Sequence, residues 1–249
     1  NYSTGLTMTN EKFNNLFGEK PRDSKNEKIT QFHMDIASSI QNVTEEVMLK
    51  MATSLREEYN LKNLCLAGGV ALNCVANGKI LEKKIFDKIW IQPAAGDAGG
   101  SLGAALALWY NEMKKERKIF KTDKMQGSYL GPEYSQNEIE IKLKEAGAIF
   151  EVMKEEELID KTAEDLSKGK AIGWFQGRME FGPRALGARS ILGDPRSETM
   201  QKDLNLKVKY RESFRPFAPS VLNDQVSEWF DIKEESPYML LVSNVNKKK

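Results

Sequence analysis

Four arginines lie within one glycine- and proline-rich stretch of the sequence, GRMEFGPRALGARSILGDPR, which covers residues 177–196. Pro183 fixes the backbone before Arg184, and the small residues around them leave the Arg184 guanidinium room to reach into a pocket. A guanidinium presents a planar fork of donors that matches the oxygens of phosphate or carboxylate. We therefore predict that Arg184 binds an anion.

The other three arginines of this stretch, Arg178, Arg189 and Arg196, have a simpler explanation. The stretch also contains two acids, Glu180 and Asp194. We expect these three arginines to brace the loop or to pair with the two acids, and we assign them no ligand.

A second cationic segment, KVKYRESFRPFAPS, follows the first. Its cations are Lys207, Lys209, Arg211 and Arg215. Prolines and aromatic residues brace Arg215, whereas Lys207 alone is explained as a residue at a helix end that faces water. A concave site with two or three such cations would bind a phosphoester or the phosphates of a nucleotide.

The segment AGGVALN places Gly68 and Gly69 between a predicted strand and a predicted helix. Glycine allows a phosphate to approach the backbone closely, and the first N–H groups of a helix are free donors. A tight turn without a ligand is the more common meaning of a lone pair of glycines. Both interpretations stay open for this turn.

The segment PAAGDAGG surrounds Asp97 with small residues. Asp97 could be the N-cap of the helix that follows, or it could bind a metal that in turn holds phosphates. Further metal ligands are scarce, because His33 is isolated and Cys65 and Cys74 lack the spacing of zinc ligands. We expect any companions of Asp97 to lie upstream of this sequence.

Composition limits the classes of protein. The chain has 249 residues, of which 40% are hydrophobic and 29% are charged, and its net charge is +1. This balance predicts a soluble globular protein without a basic field that would recruit nucleic acid or membranes. No apolar run approaches the ~20 residues of a membrane helix, and the use of only two cysteines predicts reduced thiols and a cytoplasmic location.

Periodicity predicts α/β architecture, because a strand, a glycine turn and a helix occur twice in succession. The charged stretch at residues 111–124 indicates a domain boundary, which divides the chain into residues 1–120 and 121–249. The elements predicted for the first domain are a helix at 29–55, a strand before Gly68, a helix ending at 81, a strand at 88–92 and a helix at 101–110.

The second domain is also predicted to be α/β. Ser135 is expected to cap a helix, with Glu138 at the third position of a capping box. The predicted elements are a helix at 139–146, a strand at 149–152, a helix at 155–168, a strand at 171–175, a helix at 200–208, and strand-like segments at 217–222 and 238–242.

Four segments together resemble a known family. They are LCLAGGVALNCVANGKI, FDKIWIQPAAGDAGGSLGAAL, IGWFQGRMEFGPRALGARSILGDPR and KVKYRESFRPFAPSVL. In sequence and in order they look like the C-terminal portion of the O-carbamoyltransferases that tailor nodulation factors and antibiotics, the NodU/CmcH/TobZ group. The resemblance extends over essentially the whole chain.

The resemblance implies an architecture and a chemistry. The first domain would be the end of an actin-like ATPase (ASKHA) domain, and the second would be a YrdC-like domain that is incomplete at its C-terminus. Carbamoyl phosphate and ATP, the latter with Mg²⁺, would form carbamoyl-adenylate in the YrdC-like domain. A divalent metal in the first domain, expected to be iron, would help to transfer the carbamoyl group to a hydroxyl of a sugar or natural-product acceptor.

The resemblance also implies site residues. Asp97 would be a metal ligand. Arg184, Lys209 and Arg215 would contact carbamoyl phosphate and the adenylate, and Lys207 stays open as the alternative to Lys209. The residues that would bind the nucleotide are Gly68, Gly69, Asn73, Gly96 and Gly99.

Two features of the family pattern are missing. The family's paired metal-ligand histidines and a further aspartate belong before Asn1, and later arginines of the YrdC-like site belong beyond Lys249. We therefore expect a fragment of a longer chain that would not catalyse carbamoyl transfer alone.

Two other classes of function stay open. The glycine turns alone also fit an actin-like ATPase or a sugar kinase, which would release ADP from ATP without a carbamoyl donor. A non-catalytic module that binds a nucleotide or RNA is the third class, and salt-sensitive RNA binding would support it. The near-neutral charge and the few aromatic residues of the 177–215 region disfavour nucleic acid. The oligomeric state stays open as well.

Overall fold

The structure is a computed structural model that describes residues 8–246, where it contains eight α-helices and four β-strands. The chain forms two compact units, Asn1–Met51 and Ala52–Lys249. The helices are α1 (Glu11–Phe17), α2 (Gln31–Tyr59), α3 (Cys74–Glu82), α4 (Asp97–Ala107), α5 (Gln136–Glu145), α6 (Glu155–Ser167), α7 (Met200–Asp203) and α8 (Val226–Trp229). The strands are β1 (Asn63–Leu66), β2 (Lys88–Ile91), β3 (Ile172–Phe175) and β4 (Arg189–Leu192).

The first unit begins with α1, a helix that the sequence analysis did not predict. Asn10 is its N-cap, and the Asn10 side chain accepts a hydrogen bond from the Phe13 N–H at 3.2 Å. Gly18 ends the helix with a φ of +78°, a left-handed conformation that glycine adopts at low cost. The helix has only seven residues, which is too few turns for hydrophobic periodicity to identify it.

The long helix predicted at residues 29–55 is confirmed, because α2 covers Gln31–Tyr59. Its apolar positions nevertheless include a set that is exposed, consisting of Ile40, Val43, Val47, Met51 and Leu55. The spacing of these residues therefore predicted the helix but not the burial of this face. No helix within residues 8–246 is both long enough and apolar enough to cross a membrane.

The second unit contains a parallel pair of strands. Asn63 of β1 lies opposite Lys88 of β2, and Leu66 lies opposite Ile91. Parallel neighbours need a crossover connection, and here the crossover consists of the 3₁₀ turn Gly69–Leu72 followed by α3. The first predicted strand–turn–helix unit is therefore confirmed.

The second strand–turn–helix unit is confirmed with different bounds. α4 begins at Asp97 rather than at residue 101, because the glycine turn after β2 already has helical geometry there. The helix ends in a π-helical turn, Leu108–Glu112. The two strand–turn–helix segments together establish the mixed α/β class.

The hydrophobic core of the second unit draws on segments far apart in the sequence. Asn77 is fully buried on α3, and its side-chain amide donates to the carbonyl oxygens of Ala71 at 2.8 Å and Leu240 at 3.0 Å. The two sides of the predicted boundary at residues 120 and 121 therefore share one core, although the division into two domains stays a prediction. The buried members of the core cluster are Ala71, Ile91, Ala95, Met125, Tyr238 and Leu240.

Tyr238 joins the loop at residues 123–127 to this core. Its hydroxyl donates to the Asp123 carboxylate and accepts a hydrogen bond from the Gly127 N–H at 3.2 Å. Burial, and after it the hydrogen bond to Asp123, raise the pKa of Tyr238 to about 12. The hydroxyl is therefore protonated at neutral pH and keeps both partners.

A second sheet consists of β3 and β4, which pair antiparallel with Phe175 opposite Arg189. β3 was predicted, but β4 was missed because its residues belong to the arginine-rich stretch that looked like a bent loop. The capping box of Ser135 and Glu138 is confirmed at the start of α5. The helix predicted at residues 155–168 is confirmed as α6.

Three predicted strands are wrong. No strand of the described chain pairs with residues 149–152, and Ile149 and Val152 are exposed. In the segment 217–222, Pro219 has no backbone donor for a ladder. The segment 238–242 is not a strand, because the Leu240 carbonyl bonds to a side chain instead of a neighbouring strand. The helix predicted at 200–208 is divided into α7 and a π-helical turn, Leu204–Val208.

Two glycines of α4 give a test of how this helix packs against the loop that contains Ala94. A Cβ at Gly99 would collide with the Ala94 carbonyl oxygen, whereas a Cβ at Gly103 would meet nothing within 4 Å. We expect Gly99→Ala to lower the free energy of unfolding by about 1–3 kcal/mol, as overpacking does. The control Gly103→Ala should leave it unchanged or raise it by up to about 1 kcal/mol, because alanine is the better helix former. Urea denaturation of both variants measures the difference, and equal effects would contradict the packing of α4 on the Ala94 loop.

Candidate functional site

Both glycine turns lie at one edge of the β1–β2 pair. Because the strands are parallel, the loops that leave their carboxyl ends, residues 67–73 and 93–99, emerge on the same side. The Gly68 N–H donates to the Ala95 carbonyl at 2.8 Å, which joins the two loops directly.

The arginine-rich stretch supplies a third loop, residues 181–184, at the same place. Gly182 has a φ of +123° and lies so close to the second loop that an added Cβ would be 3.3 Å from the Ala94 Cβ. Arg184 reaches the first loop, where its Nη2 donates to the Leu72 carbonyl at 3.1 Å. We call residues 67–73, 93–99 and 181–184 the three-loop site.

Arg184 is the arginine of this stretch that has no carboxylate partner among the described residues. Its Nε is buried and has no hydrogen-bond partner among the described residues. Its one hydrogen bond in the described part of the chain goes to a neutral carbonyl, that of Leu72. A buried donor without a partner costs about 1–3 kcal/mol, so Arg184 keeps hydrogen-bonding capacity that the described residues do not use.

The other three arginines of the stretch each pair with a carboxylate. The predicted partnerships with the two acids of the stretch are confirmed, because Arg189 Nε lies 3.3 Å from Glu180 Oε2 and Arg196 Nη2 lies 2.7 Å from Asp194 Oδ2. Hydrogen bonds from the Arg196 side chain, and then from its backbone N–H, lower the pKa of Asp194 to about 2.

Arg178 has a partner that the sequence analysis missed. Its Nη2 lies 2.9 Å from the Glu133 carboxylate, and its Nη1 donates to the Gly131 carbonyl at 3.0 Å. Glu133 is distant in sequence, so no local pattern indicated it. Arg178 therefore fastens the stretch to the segment that precedes α5.

The glycine turn of the first loop is open on its outer side. A Cβ added to Gly68 or to Gly69 would meet nothing within 4 Å, and Gly68 has a φ of +97°. A ligand could therefore approach the backbone here. Asn73, by contrast, already has a structural role, since its side chain caps α3 by accepting a hydrogen bond from the Ala76 N–H at 3.1 Å.

The glycines of the second loop differ in their surroundings. A Cβ on Gly96 would make an ordinary contact with the Leu72 side chain at 3.7 Å, whereas Gly99 has no room for one. Gly99 is thus required for packing, and the assignment of both glycines to nucleotide binding stays a prediction.

Asp97 is exposed in the first turn of α4. The N-cap of this helix is Gly96, so the interpretation of Asp97 as the N-cap is wrong. Among the described residues 8–246, no three His, Cys, Asp or Glu side chains lie close enough to hold a metal ion. Asp97 can offer one carboxylate ligand, and the residues described here do not complete a metal site around it.

The second cationic segment is held by a buried amide that sequence analysis missed. Asn205 is fully buried, and its Nδ2 donates to the carbonyls of Ser213 at 3.2 Å and Arg215 at 2.8 Å. Its Oδ1 accepts from Arg211 Nε at 2.6 Å, and the Arg211 guanidinium lies 5.0 Å from the centroid of the Phe217 ring.

Three cations of this segment, Lys207, Lys209 and Arg215, are exposed. Lys207 pairs with Asp203 at 2.9 Å, and Arg215 Nε pairs with Glu212 at 2.8 Å. The Lys209 side chain has no hydrogen bond or ion pair within the part of the chain that is described, and the choice between Lys209 and Lys207 stays open. No hydrogen bond or ion pair in that part joins Lys209 or Arg215 to Arg184.

The site therefore combines a glycine turn at the end of a parallel strand with an arginine that retains unpaired donors, an arrangement typical of α/β proteins that bind anions. Family models place the chain more narrowly. The model described as Carbamoyltransferase N-terminus matches residues 1–106, and the model described as Carbamoyltransferase C-terminus matches residues 163–249. The chain belongs to the carbamoyltransferase family.

Similar proteins support this assignment. An uncharacterized protein of Synechocystis sp. is 58% identical over 98% of this chain, which covers 40% of that protein. The nodulation protein NolNO of Sinorhizobium fredii is 42% identical over 88% of this chain, and the nodulation protein NolO of Bradyrhizobium diazoefficiens is 39% identical over 88%. The chain covers 32% of NolNO and 40% of NolO, so it spans less than half the length of these relatives.

The anchor of the second cationic segment can be tested separately from catalysis. Asn205→Ala would leave the Arg211 Nε and two carbonyls without their buried partner, and we expect it to lower the free energy of unfolding by about 1–3 kcal/mol. Gln201 is exposed and donates to the same Arg215 carbonyl at 3.1 Å, so Gln201→Ala is the matched control and should cost less than about 0.5 kcal/mol. Chemical denaturation compares the two, and a similar loss in both would contradict the role of Asn205.

Proposed function

We propose that the chain is part of a longer O-carbamoyltransferase that forms carbamoyl-adenylate from carbamoyl phosphate and ATP and transfers the carbamoyl group to a hydroxyl of a small-molecule acceptor. The observation that carries the proposal is Arg184, which bonds to the Leu72 carbonyl in the loop after β1 and has no carboxylate partner and an unpaired Nε among the described residues. Membership of the carbamoyltransferase family supports the group that is transferred.

The proposed roles of the three cations follow from the negative charge of the phosphate groups. Arg184 would bind a phosphate of the donor, and Lys209 and Arg215 would neutralise further charge that develops on phosphate during adenylation. For the step to balance, water would first hydrolyse carbamoyl phosphate to carbamate and phosphate, and a carbamate oxygen would then attack the α-phosphate of ATP and displace pyrophosphate. The adenylate gives the carbamate, a poor acyl donor, a good leaving group, and binding both reactants in one site supplies the proximity. Arg215 would have to exchange its exposed pairing with Glu212 for the ligand, which is inexpensive because exposed ion pairs contribute little.

The architecture of the family member is part of the proposal. Residues 1–120 would belong to an actin-like (ASKHA) domain, whose nucleotide-binding residues would include those of the two glycine turns. Residues 121–249 would belong to a YrdC-like domain. Asp97 would supply one carboxylate to a divalent metal, with iron as our proposal and Mg²⁺ accompanying ATP, and the remaining ligands would come from outside the described residues.

The experiment measures two half-reactions separately in the full-length protein, the formation of carbamoyl-adenylate and the transfer of the carbamoyl group. Arg184→Ala should abolish pyrophosphate release from ATP that depends on carbamoyl phosphate, a loss of at least about 100-fold for a charged contact at a phosphate. Asp97 lies in the same three-loop site but makes no hydrogen bond or ion pair with Arg184 in the described part of the chain. Asp97→Ala should therefore leave that release within about twofold of wild type and should block carbamoyl transfer to the acceptor.

The same assay tests a control variant and shows which results would contradict the proposed roles of Arg184 and Asp97. Arg178→Gln alters an arginine of the same stretch that pairs at the surface with Glu133, so both half-reactions should persist. If Arg184→Ala and Asp97→Ala impaired the same half-reaction, this division of roles would be wrong. Release of ADP without carbamoyl phosphate would instead favour an ATPase or sugar kinase.

A further inference from the structure

The Glu180 carboxylate lies at the centre of the loop that carries Arg184. We infer that Glu180 is a positioning residue for anion binding: together with Arg189, it fixes the backbone on both sides of Arg184 and so holds the guanidinium at the three-loop site. This inference rests on the proposed function. It assigns Glu180 no contact with the ligand.

The contacts of Glu180 close the loop on itself. Its side chain is 0% exposed, and its Oε1 accepts hydrogen bonds from the backbone N–H groups of Leu186 at 2.6 Å and Ala188 at 2.8 Å. Its Oε2 accepts from Arg189 Nε at 3.3 Å. One buried carboxylate therefore binds three donors that follow Arg184 in the chain.

Arg189 also forms a hydrogen bond with a residue that precedes Arg184. While its Nε bonds to Glu180, its Nη2 donates to the Gly182 carbonyl at 2.9 Å. The Glu180–Arg189 pair thus fastens Gly182 on one side of Arg184 and Leu186 on the other. Arg184 lies between these two fastened points.

Neighbouring segments hold the closed loop in place. The Phe181 N–H donates to the Ser128 carbonyl at 2.6 Å, and the Tyr129 hydroxyl donates to the Leu186 carbonyl at 2.8 Å. The flanks of Arg184 are therefore fixed, whereas Arg184 itself makes a single hydrogen bond in the described part of the chain. A rigid frame around one underused guanidinium is what a preformed anion site requires.

The chemistry of the contacts requires a carboxylate at position 180, because all three partners of the side chain are donors. Burial alone would raise the pKa of Glu180, but hydrogen bonds from the backbone N–H groups of Leu186, of Glu180 itself and of Ala188, together with the Arg189 charge, outweigh burial and lower the pKa. Glu180 is therefore ionised at neutral pH.

A glutamine at position 180 would accept hydrogen bonds from only some of these three donors. Its oxygen could still accept from the two backbone N–H groups, but its amide would direct a donor at the Arg189 Nε–H. Glu180→Gln therefore removes the link to Arg189 at nearly constant shape. Glu133→Gln is the matched control, because it makes the same change at an exposed carboxylate that pairs with Arg178 of the same stretch.

The test measures pyrophosphate release by the full-length protein as a function of carbamoyl phosphate and of ATP. Glu180→Gln should raise KM for carbamoyl phosphate about tenfold, equivalent to about 1.4 kcal/mol, with KM for ATP within about twofold of wild type. Glu133→Gln should leave both constants within about twofold. A purely structural loss would lower the amount of active enzyme and would not change KM selectively.

Rescue gives a second readout. In glutamine the amide oxygen is bonded to Cδ, and in arginine Nε is bonded to Cδ, so the two atoms lie at the same distance from the backbone. In the double variant the oxygen introduced at position 189 can therefore replace the Arg189 Nε. It can accept a hydrogen bond from the amide introduced at position 180. The double variant Glu180→Gln, Arg189→Gln restores the link between positions 180 and 189 but not the bond from Arg189 Nη2 to the Gly182 carbonyl, so it should recover only part of the tenfold loss. Arg189 is partly exposed, so Arg189→Gln alone should fold and should show a selective rise in KM even if Glu180→Gln does not fold.

The outcomes separate this inference from the proposed function. If wild type releases pyrophosphate and Arg184→Ala does not, but Glu180→Gln or Arg189→Gln keeps the wild-type KM for carbamoyl phosphate, the positioning role is wrong and the proposed function stands. If wild type shows no release that depends on carbamoyl phosphate, the proposed function fails, and this inference fails with it.

Discussion

The parallel pairing of β1 with β2 is the constraint on which the site depends, because it places the carboxyl ends of both strands at one edge. The two glycine turns must then leave the sheet side by side, and the hydrogen bond from Gly68 to Ala95 joins them. Gly182 packs on the second turn and Arg184 bonds to the end of the first. A cation from a distant part of the chain thereby reaches the end of the loop that contains the first glycine turn.

Pairing decides which arginine is available to a ligand. Arg178, Arg189 and Arg196 each have a carboxylate within 3.3 Å, and such pairs hold the stretch in shape. Within residues 8–246, Arg184 has a carbonyl as its one partner, and its buried Nε has none. The same stretch therefore contains both the ligand-binding candidate and the groups that frame it, which explains why charge and backbone bends occur together.

Local signals in the sequence predicted much of the framework. The three- and four-residue spacing of apolar side chains predicted α2, and the pattern of Ser135 and Glu138 predicted the start of α5. The glycine turns predicted both strand–turn–helix segments. The pairing of Arg189 with Glu180 and of Arg196 with Asp194 was also predictable, because each pair is close in sequence.

Contacts between distant residues could not be predicted in this way. Asn77 binds the Leu240 carbonyl, Arg178 binds Glu133 and Arg184 binds the Leu72 carbonyl, and neither partner of these pairs carries a local sign of the other. Three strand predictions failed for the same reason, since a run of apolar residues forms a strand only where a neighbour is available. The nucleotide, metal and catalytic assignments stay predictions, because they concern ligands rather than the fold.

The most direct test of the central claim is a crystal structure of the full-length protein with carbamoyl phosphate. We predict a phosphate oxygen within hydrogen-bonding distance, about 2.7–3.2 Å, of the Arg184 guanidinium at the three-loop site. If the ligand were bound elsewhere while Arg184 kept the Leu72 carbonyl as its one partner, the assignment of Arg184 as the anion-binding residue would be contradicted.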